Sequence, residues 1–174
     1  MLTGSLLALA LAAASGPAAA AAPTAPARDP DIPASAPSDD YGFVAWCHGA
    51  LSGHMELQPM VKGELDSMSP AESDIDAKLQ AAGKEYLALY ERALRAAEKA
   101  SPTPLQPQAQ AASTRGYGIW TAARMADPRT RMWSYLMWEL PPRCDIAAKR
   151  LEERSNLFAE ALRPSTSTTT GSAQ

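Results

Sequence analysis

The chain has 174 residues, with 16 basic and 19 acidic side chains and a formal net charge of −3. That balance offers no basic field to displace counterions from a phosphate backbone, so no nucleic-acid partner is expected. With its two tails set aside, residues 40–164 have the size of one ordinary domain with one core.

The chain opens on a short apolar run, LLALALAAA at 6–14, followed by Gly16, Pro17 and the alanines of 18–22. This pattern predicts a signal peptide over 1–22, cleaved near Ala20 or Ala22, although no Lys or Arg precedes the run. A membrane-spanning helix needs about 20 continuous apolar residues, so no stable transmembrane span is expected after processing. Residues 23–39 hold Pro23, Pro26, Pro30, Pro33 and Pro37 among Ala, Ser and Asp, a composition that favours an extended, disordered tether. The far end, 165–174, is a polar Ser/Thr-rich stretch with nothing to pack and reads as a disordered tail.

Between the tails the apolar period is helical. Phe43, Cys47, Ala50, His54, Leu57 and Val61 recur at spacings of four and three, which predicts one helix over 40–62 with these six on its buried stripe. Gly49 and Gly53 form a small-xxx-small pair on a neighbouring face and would admit a second helix at close range. Ser69-Pro70-Ala71-Glu72 is a capping box with proline at the first helical position. It opens a rod of about thirty residues, with Ile75, Leu79, Ala82, Tyr86, Leu89, Ala93 and Ala97 facing inward, until Pro102 and Pro104 end it. A third helix is predicted to about Ala126, with Ala112, Gly116, Ile119, Ala123 and Ala126 as a small-residue face and Trp120 on its flank. Asp127 and Pro128 cap a fourth over 129–140, which Pro141 and Pro142 terminate. The last, over 143–163, repeats the spacing through Cys144, Ala148, Leu151, Ser155, Phe158 and Leu162.

No stretch alternates in the manner of a strand, so the expected architecture is all-α, a four- or five-helix bundle. Cys47 and Cys144 fall on inward stripes of the first and last helices, and in an oxidising compartment such a pair forms one interhelical disulfide. Closing so long a loop is worth roughly 4 to 5 kcal/mol by chain-entropy reasoning. A reactive or metal-bound thiolate beside His48 is the rival reading, but the chain has no C-x-x-C motif. Leader and disulfide together predict a periplasmic or secreted protein.

Charge is uneven: residues 39–91 carry ten acidic and three basic side chains, whereas 92–164 carry seven acidic and twelve basic. Mutual packing of the two halves explains this better than a basic patch built from Arg115, Arg124, Arg129, Arg131 and Arg143. Both histidines lie in the 46–55 segment, so His54, Met55 and His48 are the candidate ligand-binding residues. A soft metal would need Met125, Met132 or Met137 from a second helix, and residues 48 and 54 lie about 120° apart on a helix. The simpler reading is a core histidine among space-filling methionines. No metal or cofactor is therefore expected, and c-type haem attachment is excluded because C-x-x-C-H is missing. No nucleophile motif or phosphate-binding loop is present, which leaves an exported enzyme as the weakest alternative. Trp133, Tyr135 and Trp138 are the candidate interface, since aromatic side chains anchor protein contacts. Core filling is the competing role, and is assigned more readily to Trp133 than to Trp138. The leading expectation is a non-enzymatic interaction or envelope-maintenance module whose partner is another envelope protein. A soft-metal or small-ligand binder centred on His54 is the alternative.

Overall fold

The computed structural model describes residues 31–67 and 70–161, and every regular element within them is helical. The predicted signal peptide, the start of the tether and the 165–174 tail lie outside the described residues. Within the tether, residues 31–39 lie against the bundle. Ala36 is buried and Ile32 packs on the core, and a turn closes from the Ala36 amide to the Pro33 carbonyl at 2.9 Å.

Seven helices follow among the described residues, because two of the five expected helices are each divided in two. Helix α1, Asp40–Met55, is capped by Asp39, whose carboxylate accepts from the Gly42 amide at 2.8 Å. Twelve of its sixteen residues are buried, because α1 is the central rod with neighbours on several sides rather than on a single stripe. The expected first helix breaks at Glu56 and Leu57, and α2 runs Gln58–Asp66. Pro59 is the cause: it cannot donate to the helical ladder and its ring would meet the carbonyl of Met55, so it sits instead in the first turn of the new helix.

Helix α3, Pro70–Ala100, is the long rod opening at the proline of the capping box, although Ser69 itself is outside the described residues. Its described residues are enclosed unevenly. Tyr90, Ala93 and Ala97 are buried, whereas Ile75, Leu79 and Tyr86 remain substantially exposed. Helix α4, Gln106–Gly118, and the short α5, Thr121–Met125, replace the single third helix. The break falls where the Trp120 indole turns inward and donates to the Ala50 carbonyl at 2.6 Å. Helix α6, Pro128–Leu136, is capped by Asp127 accepting from the Thr130 amide at 3.1 Å, and ends four residues short of the expected Leu140. Helix α7, Arg143–Ala161, completes the fold.

Helices α1 and α4 approach closely because both lack side chains at the crossing. A Cβ on Gly49 would lie 2.0 Å from the Ser113 carbonyl oxygen, and one on Gly116 would lie 2.1 Å from that of Trp46. Both sites therefore require glycine for backbone approach, not for backbone torsion. On the other side of α1, Cys47 and Cys144 form a fully buried disulfide to α7, with Cα atoms 5.9 Å apart.

Some acidic side chains of the first half meet basic ones of the second across the fold. Asp40 on α1 pairs with Arg150 and Arg154 on α7, and the Tyr41 hydroxyl donates to Glu98 on α3 at 2.9 Å. Of the five arginines considered for a basic patch, three are engaged within the fold. Arg124 meets Glu56 at 3.4 Å, and Arg143 meets Asp31 at 3.6 Å. Arg131 donates to the carbonyls of Ala123, Arg124 and Ala126 at 2.8 to 3.3 Å, which satisfies the open C-terminal end of α5. Among the described residues no helix is long and apolar enough to cross a membrane.

Candidate functional site: an aromatic enclosure around His54

A second, smaller core lies beside the main one, formed by Leu57, Val61, Leu65, Trp120, Ala123, Met132 and Tyr135. His54, in the last turn of α1, stands next to it and is enclosed by three rings. It stacks on Tyr135 with centroids 4.4 Å apart and planes 9° from parallel. Trp138 and Trp120 tilt against it at 4.7 and 5.2 Å, and the two indoles meet edge to face at 5.2 Å. Gly53 makes room for this arrangement, since a Cβ there would lie 2.4 Å from Cδ1 of Trp120.

The imidazole Nε2 lies 2.9 Å from the backbone carbonyl oxygen of Tyr135. A carbonyl only accepts, so Nε2 carries the proton, and in the neutral ring the lone pair is on Nδ1. Burial pushes the His54 pKa below the usual imidazole value, against the opposing pull of that carbonyl and of Asp76. The ring is therefore held as a neutral acceptor at ordinary pH.

Tyr135 is fixed at both ends. Its hydroxyl donates to Asp76 at 2.6 Å and accepts from the Gln80 amide at 3.0 Å. The other oxygen of Asp76 accepts from Gln58 at 2.9 Å. One phenol thus ties α2, α3 and α6 together beneath the histidine. Burial, reinforced by the Asp76 carboxylate, raises its pKa well above the ordinary phenol value.

An open cavity of about 250 Å³ adjoins His54, bounded by α1, α3 and the chain that follows α6. Leu79, Ala82, Tyr86, Trp138 and Glu139 share its lining with the histidine. Leu79 and Tyr86 are substantially exposed, which gives the cavity a mouth toward solvent.

The other residues singled out by sequence are distributed differently. His48 is half-buried beside Glu91 on α3, 3.8 Å away. Burial lowers its pKa, with Glu91 acting in the opposite direction. Met55 presses its thioether toward Gly83, Met132 is in the smaller core, and Met125 and Met137 are exposed. The methionines therefore do not converge on His54. Among the described residues no group of three or more His, Cys, Asp or Glu side chains could hold a metal ion.

The three aromatic interface candidates also separate. Tyr135 is buried, Trp138 is half-buried in the enclosure, and Trp133 is 46% exposed. The assignment of core filling to Trp133 ahead of Trp138 is thereby reversed: Trp138 lies toward the α1–α3 cavity, and Trp133 faces out. Sequence reasoning placed Trp120 only on the flank of the third helix and gave no role to Asp76, Gln80 or Gln58. Gly53 was read as admitting a second helix, whereas what it admits is the Trp120 ring, and no local pattern marks a hydrogen bond between residues 55 or 59 positions apart. Compared with protein families, with curated proteins and with solved structures, the chain matches none.

Proposed function

We propose that the chain acts outside the cytosol, in the periplasm or as a secreted protein, as a non-enzymatic interaction module that contacts another envelope protein through the outer face of α6. The observation that carries this reading is the exposure of Trp133 on that helix and of Met137 at its C-cap, 46% and 74% exposed. Met132 and Tyr135 hold the opposite side in the smaller core, so the outward tryptophan stands on a rigid support. A fixed aromatic side chain that loses little freedom on binding is a favourable anchor. The buried disulfide and the apolar leader support the compartment, because a thiol pair of this kind stays oxidised outside the cytosol.

The non-enzymatic part of the reading rests on how the titratable groups are used. The His54 N–H is committed to the Tyr135 carbonyl, and the Tyr135 hydroxyl to Asp76. A photoreactive residue placed at position 133 in cells should trap one discrete partner, while the same residue at Lys149 on α7 should not. The Trp133→Ala protein should fold normally yet fail to co-purify that partner. Equal trapping at both positions, or none at 133, would refute the reading. The cavity beside His54 favours a second reading, as a small-ligand binder.

A further inference from the structure

We infer that the cavity beside His54 binds a small organic ammonium ion with an apolar, aryl-sized body, independently of any contact made by α6. Charge complementarity is the first ground. Among the described residues that line the cavity Glu139 is the one acidic side chain, and none of them is a lysine or an arginine. Glu139 forms no ion pair or hydrogen bond with the described residues, so its carboxylate is available to a cation. A carboxylate beside an apolar cleft attracts a cation carrying a hydrophobic group and repels the corresponding anion.

The aromatic wall is the second ground. Trp138 and Tyr86 both line the space, and the faces of such rings attract ammonium groups within about 6 Å. His54 also borders the space. Its Nε2–H is occupied by Tyr135, so the neutral ring has only a lone pair to offer, which suits an N–H donor and not an acceptor. Leu51, Leu79, Ala82 and Leu140 supply the apolar lining for the rest of the molecule.

Size narrows the class. The cavity has a volume of about 250 Å³. It is smaller than the cavities that hold drug-sized ligands. An arylalkylamine meets these limits, its ring against Leu79 and Ala82 and its ammonium group at Glu139.

The test is titration of the full-length, disulfide-bonded protein with 2-phenylethylamine, and with 2-phenylethanol and phenylacetate as neutral and anionic counterparts. Calorimetry and the indole N–H resonances provide the readouts. The amine should bind saturably with a dissociation constant on the order of 1 mM or tighter, at least tenfold tighter than the alcohol, and the acid should not bind. Glu139→Gln, at an exposed position that leaves the fold intact, should reduce amine affinity to that of the alcohol. Ala82→Phe, which fills the cavity, should abolish binding of both while thermal unfolding confirms a folded protein. Equal affinity for amine and alcohol, or no effect of Glu139→Gln, would overturn the charge assignment. Amine binding that survives Ala82→Phe would overturn the location, and no binding at all would overturn the inference outright.

Discussion

The α1–α4 crossing yields a sharp expectation, because one substitution made at two glycines should have opposite effects. Glycine to alanine inside a helix normally stabilises by about 1 kcal/mol through propensity. At Gly63 in α2 nothing lies within 4 Å of the new methyl group, so that gain should be realised in full. At Gly116 the same methyl would fall 2.1 Å from the Trp46 carbonyl oxygen and 2.8 Å from the Ala50 backbone nitrogen. Neither atom can rotate away, so α4 must retreat from α1 by roughly 1.3 Å to restore ordinary contact near 3.4 Å. A gap of that order forfeits a quarter to a half or more of each dispersion contact along the crossing, and overpacking of this kind costs about 1 to 3 kcal/mol, occasionally more. The backbone obstruction places Gly116→Ala at the upper end, a net loss of about 2 kcal/mol after the propensity gain is subtracted. Equilibrium urea unfolding of the oxidised protein would measure both. Gly63→Ala should raise the midpoint and Gly116→Ala should lower it. Changes of the same sign at the two positions would refute the claim that this crossing depends on missing side chains.

Other expectations follow from single features. Replacing both Cys47 and Cys144 with alanine should lower stability by about 4 kcal/mol, because the bond closes a separation of 97 residues; a loss under 1 kcal/mol in urea unfolding would show that the disulfide does not constrain the unfolded chain. Tyr90→Phe should raise stability by up to about 1 kcal/mol, since the buried Tyr90 hydroxyl has no hydrogen-bond partner among the described residues and its removal ends a desolvation cost; differential scanning calorimetry would reveal a destabilised protein if the hydroxyl were in fact bonded. Tyr41, Tyr90 and Tyr135 have pKa values raised by burial above the ordinary 10.0. Their contribution is complete below pH 10 and is lost as pH rises, because the unfolded phenols ionise first; stability measured against pH should fall steeply above that point, and less steeply in Tyr135→Phe. His48 and His54 have pKa values lowered by burial from 6.5. Their contribution is present above that value and declines as pH falls below it, which unfolding at pH 7 and pH 5 would detect.

How much of this was legible in advance depended on whether the cause was local. Ser69-Pro70-Ala71-Glu72 and Asp127-Pro128 mark helix starts through contacts within one turn, and the structure begins α3 at Pro70 and α6 at Pro128. The inward period of Cys47 and Cys144 likewise indicated a disulfide between first and last helices. The break at residues 56–57 was also locally encoded, by Pro59, but the apolar spacing of Leu57 and Val61 continued across it and masked the proline. The division of α4 from α5 was not encoded locally, since it follows from the Trp120 indole reaching a carbonyl 70 positions away. The exposure of Ile75 and Leu79 on α3 has the same origin. Ile75 and Leu79 obey the helical period as faithfully as Ala93 and Ala97, and periodicity alone does not say where the neighbouring helices end. The enclosure of His54 was least legible, because its rings come from separate segments and the sequence shows only that two histidines lie near one another.

The bond between positions 47 and 144 makes one large covalent ring of the chain, enclosing the end of α1, all of α2 to α6 and the first residues of α7. A protease that cuts once anywhere in that ring, for example between α3 and α4 at Pro102 or Thr103, opens it without liberating either piece. The nicked molecule keeps its mass under non-reducing conditions and keeps its severed ends within reach of each other. In a compartment rich in proteases, this lets the bundle survive a scission that would divide an uncrosslinked chain in two.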